Sequence, residues 1–295
     1  MLIKTKICNT QHYSCVLSRY FSIFTRLKTR LFILLSSIGL LLGGCDGYNK
    51  LLKSTDFELK AQKAQEYFDK KDYVRASQLY EEIIPAVKGT PKAESIYYNY
   101  TWCEYYIGDF LLSQYHFKNY TRQFPDGKHV EECYYMNAYC YFLNSPNYQL
   151  DQTYTKNAIK EFQAFLDAYP QSSKIDTCNA LVDKLREKLE RKDYEIVKQY
   201  YKVEDWKASI VSIKNFLKEY PNSKFSEELY FLLIDSYFVL AERSVYAKKE
   251  ERLQGTMENY VKFAEIYPNS SYLSRAENRY NSAKRLLDNL HKDGF

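Results

Sequence analysis

The sequence is poor in the two residues that most often interrupt regular structure, with nine glycines and seven prolines among 295 residues. It also lacks stretches in which apolar and polar residues alternate, which is the pattern of half-buried strands. Histidine occurs four times, and the sequence contains no Cys-x-x-Cys, His-Glu-x-x-His or glycine-rich phosphate-binding loop. These absences favour an all-α fold. They also give no basis for a catalytic, metal or cofactor site, so we predict that the protein is not an enzyme.

Acidic residues are missing from the first 44 positions, which contain six basic ones. Removing those six from the 42 basic residues of the chain leaves 36 against 37 acidic residues, a net charge of −1. A near-neutral chain offers no basic face to a phosphate backbone, so nucleic acid is not an expected partner.

The basic region precedes a short apolar run, Leu31–Leu42, which is followed by Gly43, Gly44 and Cys45. About a dozen apolar residues are too few to span a bilayer, which needs roughly 20, and suit the core of a signal peptide. Leu-Gly-Gly-Cys resembles the bacterial lipobox. The resemblance implies that residues 1–44 are a lipoprotein signal peptide, cut before Cys45, and that palmitate or similar acyl chains are attached at Cys45. A cleaved secretory signal with an incidental cysteine is the alternative.

Beyond Cys45 the chain contains four cysteines, Cys103, Cys133, Cys140 and Cys178. An exported chain meets an oxidising compartment, so they are either small core residues or partners in a disulfide between repeats. Cys133 and Cys140 are seven residues apart on one helix face, which is too far for a bond to each other.

A recurring pattern organises the rest of the chain. A small residue is followed by large apolar residues four and seven positions later and by proline at the twelfth, as in Ser209, Ile213, Phe216 and Pro221. Further copies end at Pro125, Pro170 and Pro268, and an earlier copy at Ala76 lacks the proline. This spacing places all three residues on one face of an α-helix that the proline then ends.

The small-to-large spacing resembles the tetratricopeptide (TPR) pattern. It implies an all-α solenoid of helical hairpins, with about five repeats plus a C-terminal capping helix. We predict a lipidated tether at 45–56, an N-terminal group of repeats one to three at 57–173, and a C-terminal group of repeats four and five with the cap at 174–295. Within these, we predict a loop at Asn144–Thr153, a long helix Lys174–Lys192 ahead of repeat four, and a charged connector Ala247–Arg252.

Aromatic residues are unusually abundant, with 31 tyrosines and 17 phenylalanines. Most fall on repeat positions and are predicted core. In the TPR register, some fall on the concave side of the first helices of repeats one and two, where tyrosine can bind an extended peptide. The predicted peptide-binding groove consists of Gln65, Phe68, Tyr98, Trp102 and Tyr105. The alternative is that these residues also belong to the core.

Together, the lipobox, a short tether and five TPRs resemble the BamD family of outer-membrane assembly lipoproteins. Two parts of the chain carry specific similarity. One is Glu161–Ser172, and the other combines a helix start at Lys192–Glu195 with Tyr200, Tyr201, Trp206 and Phe216–Ser223. The resemblance implies a non-enzymatic scaffold that is anchored in the outer membrane and faces the periplasm. Its C-terminal repeats, with the apolar stretch Leu229–Leu240, would bind a BamA-like barrel-forming subunit with periplasmic domains. Its N-terminal repeats would bind unfolded outer-membrane proteins. Asp46 departs from the pattern and leaves the choice of membrane open.

The alternative is another TPR lipoprotein of the envelope, either a scaffold for the cell wall or division, or a glycan-capture protein. A glycan binder would keep its exposed aromatic rings in one shallow cluster and would need no protein partner.

Overall fold

The computed structural model describes residues 45–293, which form twelve α-helices and no strand. In chain order these are α1 (Cys45–Leu52), α2 (Phe57–Asp69), α3 (Tyr73–Val87), α4 (Ala93–Ile107), α5 (Phe110–Gln123), α6 (Val130–Leu143), α7 (Thr153–Ala168), α8 (Ile175–Lys202), α9 (Trp206–Glu219), α10 (Ser226–Glu242), α11 (Tyr246–Ile266) and α12 (Leu273–Asp293). The predicted all-α fold of helical hairpins is confirmed. The signal peptide predicted at 1–44 lies outside the described residues.

The chain divides into two compact units, and the boundary falls in the turn of the predicted second repeat. The N-terminal unit contains residues 45–107, where α2 packs on α3 and α3 packs on α4. Its core consists of Ala64, Ala76, Leu79, Tyr80, Ile83, Ile96, Tyr100 and Cys103. The grouping of repeats into 57–173 and 174–295 stays a prediction.

The C-terminal unit contains residues 108–293, and each of its helices packs on the next one in sequence. The positions predicted from the repeat form its core: Ala158, Phe162, Phe165, Ile213, Phe216 and Phe263 are buried. Ser113, Ser209 and Thr256 are also fully buried, which fits the need for a small residue where two helices approach closely.

The second helix of three repeats begins in the same way. Asp72, Asp109 and Asp205 are N-caps, and each carboxylate accepts a hydrogen bond from the backbone N–H three residues later. The residue before each aspartate, at position 71, 108 or 204, has a positive φ between 60° and 94°. The backbone therefore turns through the left-handed region just before each cap.

The end of these helices is equally regular. Phe124, Tyr169, Tyr220 and Tyr267 each precede a proline and have φ near −125° and ψ near 65°. A residue before proline is excluded from the helical region, so the helix stops there. Each of these rings contacts the aromatic ring four residues earlier, with centroids 4.9–5.6 Å apart.

Three segments differ from the sequence predictions. The predicted long helix and the first helix of repeat four are one 28-residue helix, α8, which passes through Lys192 without a break. The predicted connector Ala247–Arg252 is the first part of α11. The predicted tether contains a helix, α1, at Cys45–Leu52.

The loop predicted at Asn144–Thr153 is present between α6 and α7. The buried side chain of Gln152 donates hydrogen bonds to the carbonyl oxygens of Asn147 and Leu150, at 2.8 and 2.9 Å. Lys188 of α8 donates to Ser145, and Lys192 donates to the carbonyl oxygens of Tyr148 and Leu150. The loop is therefore held on α8 by polar contacts.

Helix α10 is apolar on almost every side because it is surrounded by protein. Leu229, Phe231, Leu232, Leu233, Ile234 and Phe238 are all buried. A helix that is hydrophobic all round is a core helix. The apolar stretch Leu229–Leu240, which we expected to face a partner, is therefore mostly part of the core.

The four cysteines beyond Cys45 are buried, and Cys103, Cys140 and Cys178 are free thiols. Burial raises the pKa of the Cys140 thiol to about 12 and that of Cys178 to about 11. These thiols are therefore protonated and serve as small core side chains. Within residues 45–293, no helix combines the length and the apolarity that crossing a membrane requires.

Candidate functional site

The predicted groove residues lie on α2 and α4, where an aromatic row connects most of them. Phe68 contacts Tyr73 edge to face at 5.5 Å between centroids, Tyr73 stacks on Tyr106 at 4.5 Å, and Tyr106 stacks on Trp102 at 5.4 Å. We use the name aromatic row for Phe68, Tyr73, Tyr98, Trp102, Tyr105 and Tyr106. The structure therefore brings Phe68 of α2 into one row with rings of α4.

Tyr98 and Tyr105 join the row through Trp102, on which they pack edge to face at 6.2 and 5.3 Å. Phe68, Tyr98, Trp102 and Tyr105 are half-buried, and Tyr106 is 50% exposed. These rings are thus packed against one another and also reach the surface. Such a surface can bind apolar and aromatic groups through ring faces and edges.

Gln65, the polar member of the predicted groove, is held by hydrogen bonds between helices. Its Oε1 accepts from Asn99 Nδ2 at 2.8 Å and from the Tyr80 hydroxyl at 3.2 Å, while its Nε2 donates to Asp69 at 2.9 Å. Burial raises the pKa of Tyr80, which stays a neutral donor. Gln65 therefore orients α2 against α3 and α4 beside the aromatic row.

Two members of the row, Tyr73 and Tyr106, were not predicted. Tyr106 follows Trp102 by four residues and so shares its helix face, a spacing that was readable in the sequence. Tyr73 is the first residue of α3, and its contact with Tyr106 depends on how α3 packs against α4. Local spacing contains no information on that contact.

A second surface lies on α8 in the C-terminal unit. Ile196, Tyr200 and Val203 are exposed at spacings of four and three, so they form one stripe, the α8 stripe. Beside it lies a groove of about 340 Å³ between α8 and α9. Its lining residues are Asp193, Ile196, Val197, Ser212, Asn215, Phe216, Glu219 and Tyr220. Adjacent exposed apolar side chains are a feature of protein interaction surfaces.

A buried carboxylate, Asp235, links α8, α10 and α12. Asp235 of α10 is 5% exposed, accepts from the Tyr201 hydroxyl at 2.6 Å and pairs with Arg279 of α12 at 2.6 Å. Burial, together with the hydrogen bond to Asp235, raises the pKa of Tyr201. A charged group that is removed from water needs such partners, so the network fixes α8, α10 and α12 relative to one another.

A related network links Glu228 of α10 to α8. Its carboxylate accepts from the Tyr194 hydroxyl at 2.6 Å and pairs with Lys198. Burial alone would raise the pKa of Glu228, but the hydrogen bonds from Lys198 and Tyr194 outweigh it and hold the pKa below its ordinary value. Glu228 is therefore ionised at neutral pH.

Among residues 45–293, no three His, Cys, Asp or Glu side chains are grouped so that they could hold a metal ion. The arrangement on both surfaces suits non-covalent binding through aromatic and apolar side chains.

Comparison with known proteins identifies the class. The sequence profile of the family described as "YfiO: Outer membrane lipoprotein" matches residues 58–211 and 194–290. These matches cover most of the chain, so the protein belongs to this family of outer membrane lipoproteins. A curated relative is the "Outer membrane protein assembly factor BamD" of Rickettsia prowazekii (strain Madrid E), which is 25% identical over 259 residues. The alignment covers 84% of this chain and 95% of that protein.

Solved structures of TPR proteins are also similar. The TPR2AB domain of yeast Sti1, in its complex with pHSP90, is 12% identical, with 77% of this chain and 98% of that chain covered and a TM-score of 0.35. A tetratricopeptide repeat protein from Parabacteroides merdae is 13% identical, with 81% and 98% covered and a TM-score of 0.23.

Proposed function

We propose that this protein is the lipoprotein scaffold of an outer-membrane β-barrel assembly machinery. In this proposal it is anchored through Cys45, faces the periplasm, binds a barrel-forming subunit with periplasmic domains, and accepts unfolded outer-membrane proteins. The family match along most of the chain is the observation that carries this proposal. The relative named as an outer membrane protein assembly factor, aligned over 95% of its length, supports the assembly role.

The aromatic row is the proposed site for client proteins. Its rings offer faces and edges at the surface, and Tyr106 is half exposed. An extended client segment can place its own aromatic side chains against such rings without any covalent step. The lipid anchor raises the local concentration of the scaffold near clients and partner subunits at the membrane.

The α8 stripe is the proposed contact with the barrel-forming subunit. We expected the partner surface in repeats four and five, and burial of the Leu229–Leu240 side chains leaves this stripe as an exposed apolar surface there. Interfaces are typically centred on a few apolar or aromatic anchors, and Tyr200 lies between Ile196 and Val203 in this role.

The first test is a detergent-solubilised pull-down of the full-length protein from its native envelope, with Cys45→Ala as the control for membrane attachment. Mass spectrometry should identify a large β-barrel protein with periplasmic domains in the eluate. Recovery of the chain alone, still attached to the membrane through Cys45, would contradict the assembly role and favour a glycan or cell-wall ligand.

Two matched tyrosine variants separate the proposed surfaces. Tyr106→Ala should weaken binding of a peptide from the C-terminal segment of an outer-membrane protein by about tenfold, a loss typical of an interface anchor, and leave the pull-down unchanged. Tyr200→Ala should leave binding of that peptide unchanged and should reduce recovery of the β-barrel protein in the pull-down. The two side chains are similarly exposed, at 50% and 40%, so a general effect of removing a surface ring would appear in both. Equal effects of both variants in both assays would contradict the assignment of the surfaces.

A further inference from the structure

A pocket lies between α1 and α2, at the start of the described chain. Its volume is about 560 Å³. It is lined by Gly47, Tyr48, Lys50, Leu51, Ser54, Leu59, Lys63, Glu66, Tyr67 and Lys70. All of these residues belong to the N-terminal unit, and none is in the aromatic row or the α8 stripe.

Helix α1, which forms one wall of this pocket, is docked on the first repeat. The Tyr48 hydroxyl donates to Gln78 Oε1 at 2.8 Å, and the Tyr48 ring packs edge to face on Tyr67 at 5.6 Å. Lys60 of α2 donates to the Leu52 carbonyl at 2.7 Å. Burial raises the pKa of Tyr48 to about 12, so its hydroxyl stays a neutral donor. The segment after Cys45 is thus a folded part of this unit.

The pocket has a positive charge. Three lysines line it, against one acidic residue, Glu66. Lys63 pairs with Glu66 at 2.8 Å, whereas Lys50 and Lys70 are exposed and form no ion pair with another described residue. With three lysines against one glutamate, the lining carries a net charge of +2 beside the rings of Tyr48 and Tyr67, which suits a ligand that carries a phosphate group.

The position of the pocket indicates where that phosphate comes from. Helix α1 begins at Cys45, and a rise of 1.5 Å per residue places the pocket residues Gly47 and Lys50 about 3 and 7.5 Å along its axis from Cys45. The headgroup layer of one leaflet is about 5–8 Å thick. Acyl chains on Cys45 would therefore bring the pocket to the level of the lipid headgroups.

We propose that this pocket binds the phosphate-bearing headgroup of an anionic lipid in the leaflet that holds the anchor. The proposal rests on lipidation of Cys45, as proposed above. It implies that the first repeat is held against the membrane surface by two contacts, the acyl chains and the headgroup in the pocket. A lipid chain combined with a basic site binds a membrane more persistently than either alone.

The test separates the pocket from the anchor. The chain from residue 45 onward, with Cys45→Ala and so without lipid, is mixed with vesicles of phosphatidylethanolamine and phosphatidylglycerol, or of phosphatidylcholine alone, and binding is measured by flotation. We expect binding to the anionic vesicles that weakens with added salt. Lys50→Gln with Lys70→Gln should lower that affinity by about 30-fold, because each lysine near an anionic surface contributes about a factor of five.

The matched control removes two exposed lysines elsewhere, Lys207→Gln with Lys218→Gln, and should change the affinity less than about threefold. Equal losses for the two double variants, or no loss for Lys50→Gln with Lys70→Gln, would overturn the proposal. Inorganic phosphate should release the bound chain more effectively than chloride at equal ionic strength, because it competes with the headgroup phosphate for the pocket. Binding of inorganic phosphate by a chain that does not bind the anionic vesicles would assign the pocket to a free anion and also overturn the proposal. The mass of the mature lipoprotein tests the anchor separately, so failure of lipidation and failure of the pocket are distinguishable.

Discussion

At the residue scale, the turns before α3, α5 and α9 each require one residue with a positive φ, and this residue differs among the three turns. Position 108 is glycine, with φ of 94° and nothing within 4 Å of the site of an added Cβ, whereas positions 71 and 204 are Lys and Glu with φ near 60°. A side chain in the left-handed region costs roughly 1 kcal/mol relative to glycine. The same turn geometry therefore costs more conformational free energy at Lys71 and Glu204 than at Gly108.

We expect Gly108→Ala to lower the free energy of unfolding by about 1 kcal/mol, and Lys71→Gly to raise it by about 0.5 kcal/mol, since greater freedom of the unfolded chain offsets part of the gain. Urea denaturation followed by circular dichroism measures both. A stabilising Gly108→Ala would contradict the assignment of a strained turn, because the open space around this site leaves conformation as the cause.

The pH dependence of stability should contain a contribution from Glu228. Its folded-state pKa lies below the ordinary value of 4.5, so the ionised carboxylate stabilises the fold above pH 4.5, and this stabilisation is lost as the pH falls through the folded-state pKa. Glu228→Gln should therefore be less stable than the unmodified chain at neutral pH, by on the order of 1 kcal/mol. The difference should shrink as the pH falls below 4.5.

The matched control for this prediction is Glu227→Gln. Glu227 forms no ion pair with another described residue. Its variant should follow the pH dependence of the unmodified chain in urea denaturation at successive pH values. A difference for Glu228→Gln that stays constant down to low pH would show that charge is not the cause.

At the element scale, the sequence was most informative where a residue type fixes a helix end. Asp205 and Pro221 mark the two ends of α9, because an aspartate caps the first turn and a residue before proline leaves the helical region. Helix α8 contains no proline between Ile175 and Lys202, and Asp193 lies inside the helix instead of capping one. The predicted break near Lys192 rested on the repeat spacing and on the resemblance of Lys192–Glu195 to a helix start in the family, and it was wrong.

The prediction of a connector at the start of α11 was wrong for a different reason. Residues 247–252 are Ala, Lys, Lys, Glu, Glu and Arg, which are good helix formers, but their charge favoured the interpretation as a connector.

Of the aromatic row, Phe68, Tyr98, Trp102 and Tyr105 could be predicted from register on single helices. Tyr73 could not, because its place in the row depends on packing between α3 and α4.

Close packing of α10 against α11 depends on Gly255. A Cβ at this position would lie 2.7 and 2.8 Å from two carbon atoms of the Tyr237 ring, which is too close. The Tyr237 hydroxyl also accepts a hydrogen bond from Lys214 Nζ at 2.6 Å, which holds the ring in place. Alanine normally stabilises a helix by about 1 kcal/mol relative to glycine.

We expect the contact to reverse that preference, so that Gly255→Ala lowers the free energy of unfolding by about 1 kcal/mol. In a Tyr237→Ala background the same change should instead be stabilising. A double-mutant cycle in urea measures the coupling between the two positions. An effect of equal size and sign in both backgrounds would show that the ring is not responsible.

At the scale of the whole molecule, the C-terminal unit is built mainly from contacts between helices that are neighbours in sequence. In such an array, the free energy of unfolding is approximately the sum of the stabilities of the repeats and of the interfaces between neighbours. A destabilising substitution therefore affects its own repeat and the adjacent ones most. Ile213 of α9 is fully buried in the cluster that also contains Val197 of α8, Leu229 of α10 and Phe263 of α11, so its loss weakens the core that these helices form.

Ile213→Ala should lower the free energy of unfolding by about 3 kcal/mol, because it removes buried methyl groups and leaves a cavity. Hydrogen exchange should show the largest loss of protection in α8 to α11 and smaller losses in α5 and α6. Val211→Ala on the same helix, at a site that is 59% exposed, is the control and should change stability by less than about 0.5 kcal/mol. A uniform loss of protection from α5 to α12 would mean that the unit unfolds as one cooperative block, and the nearest-neighbour description would then be wrong for this protein.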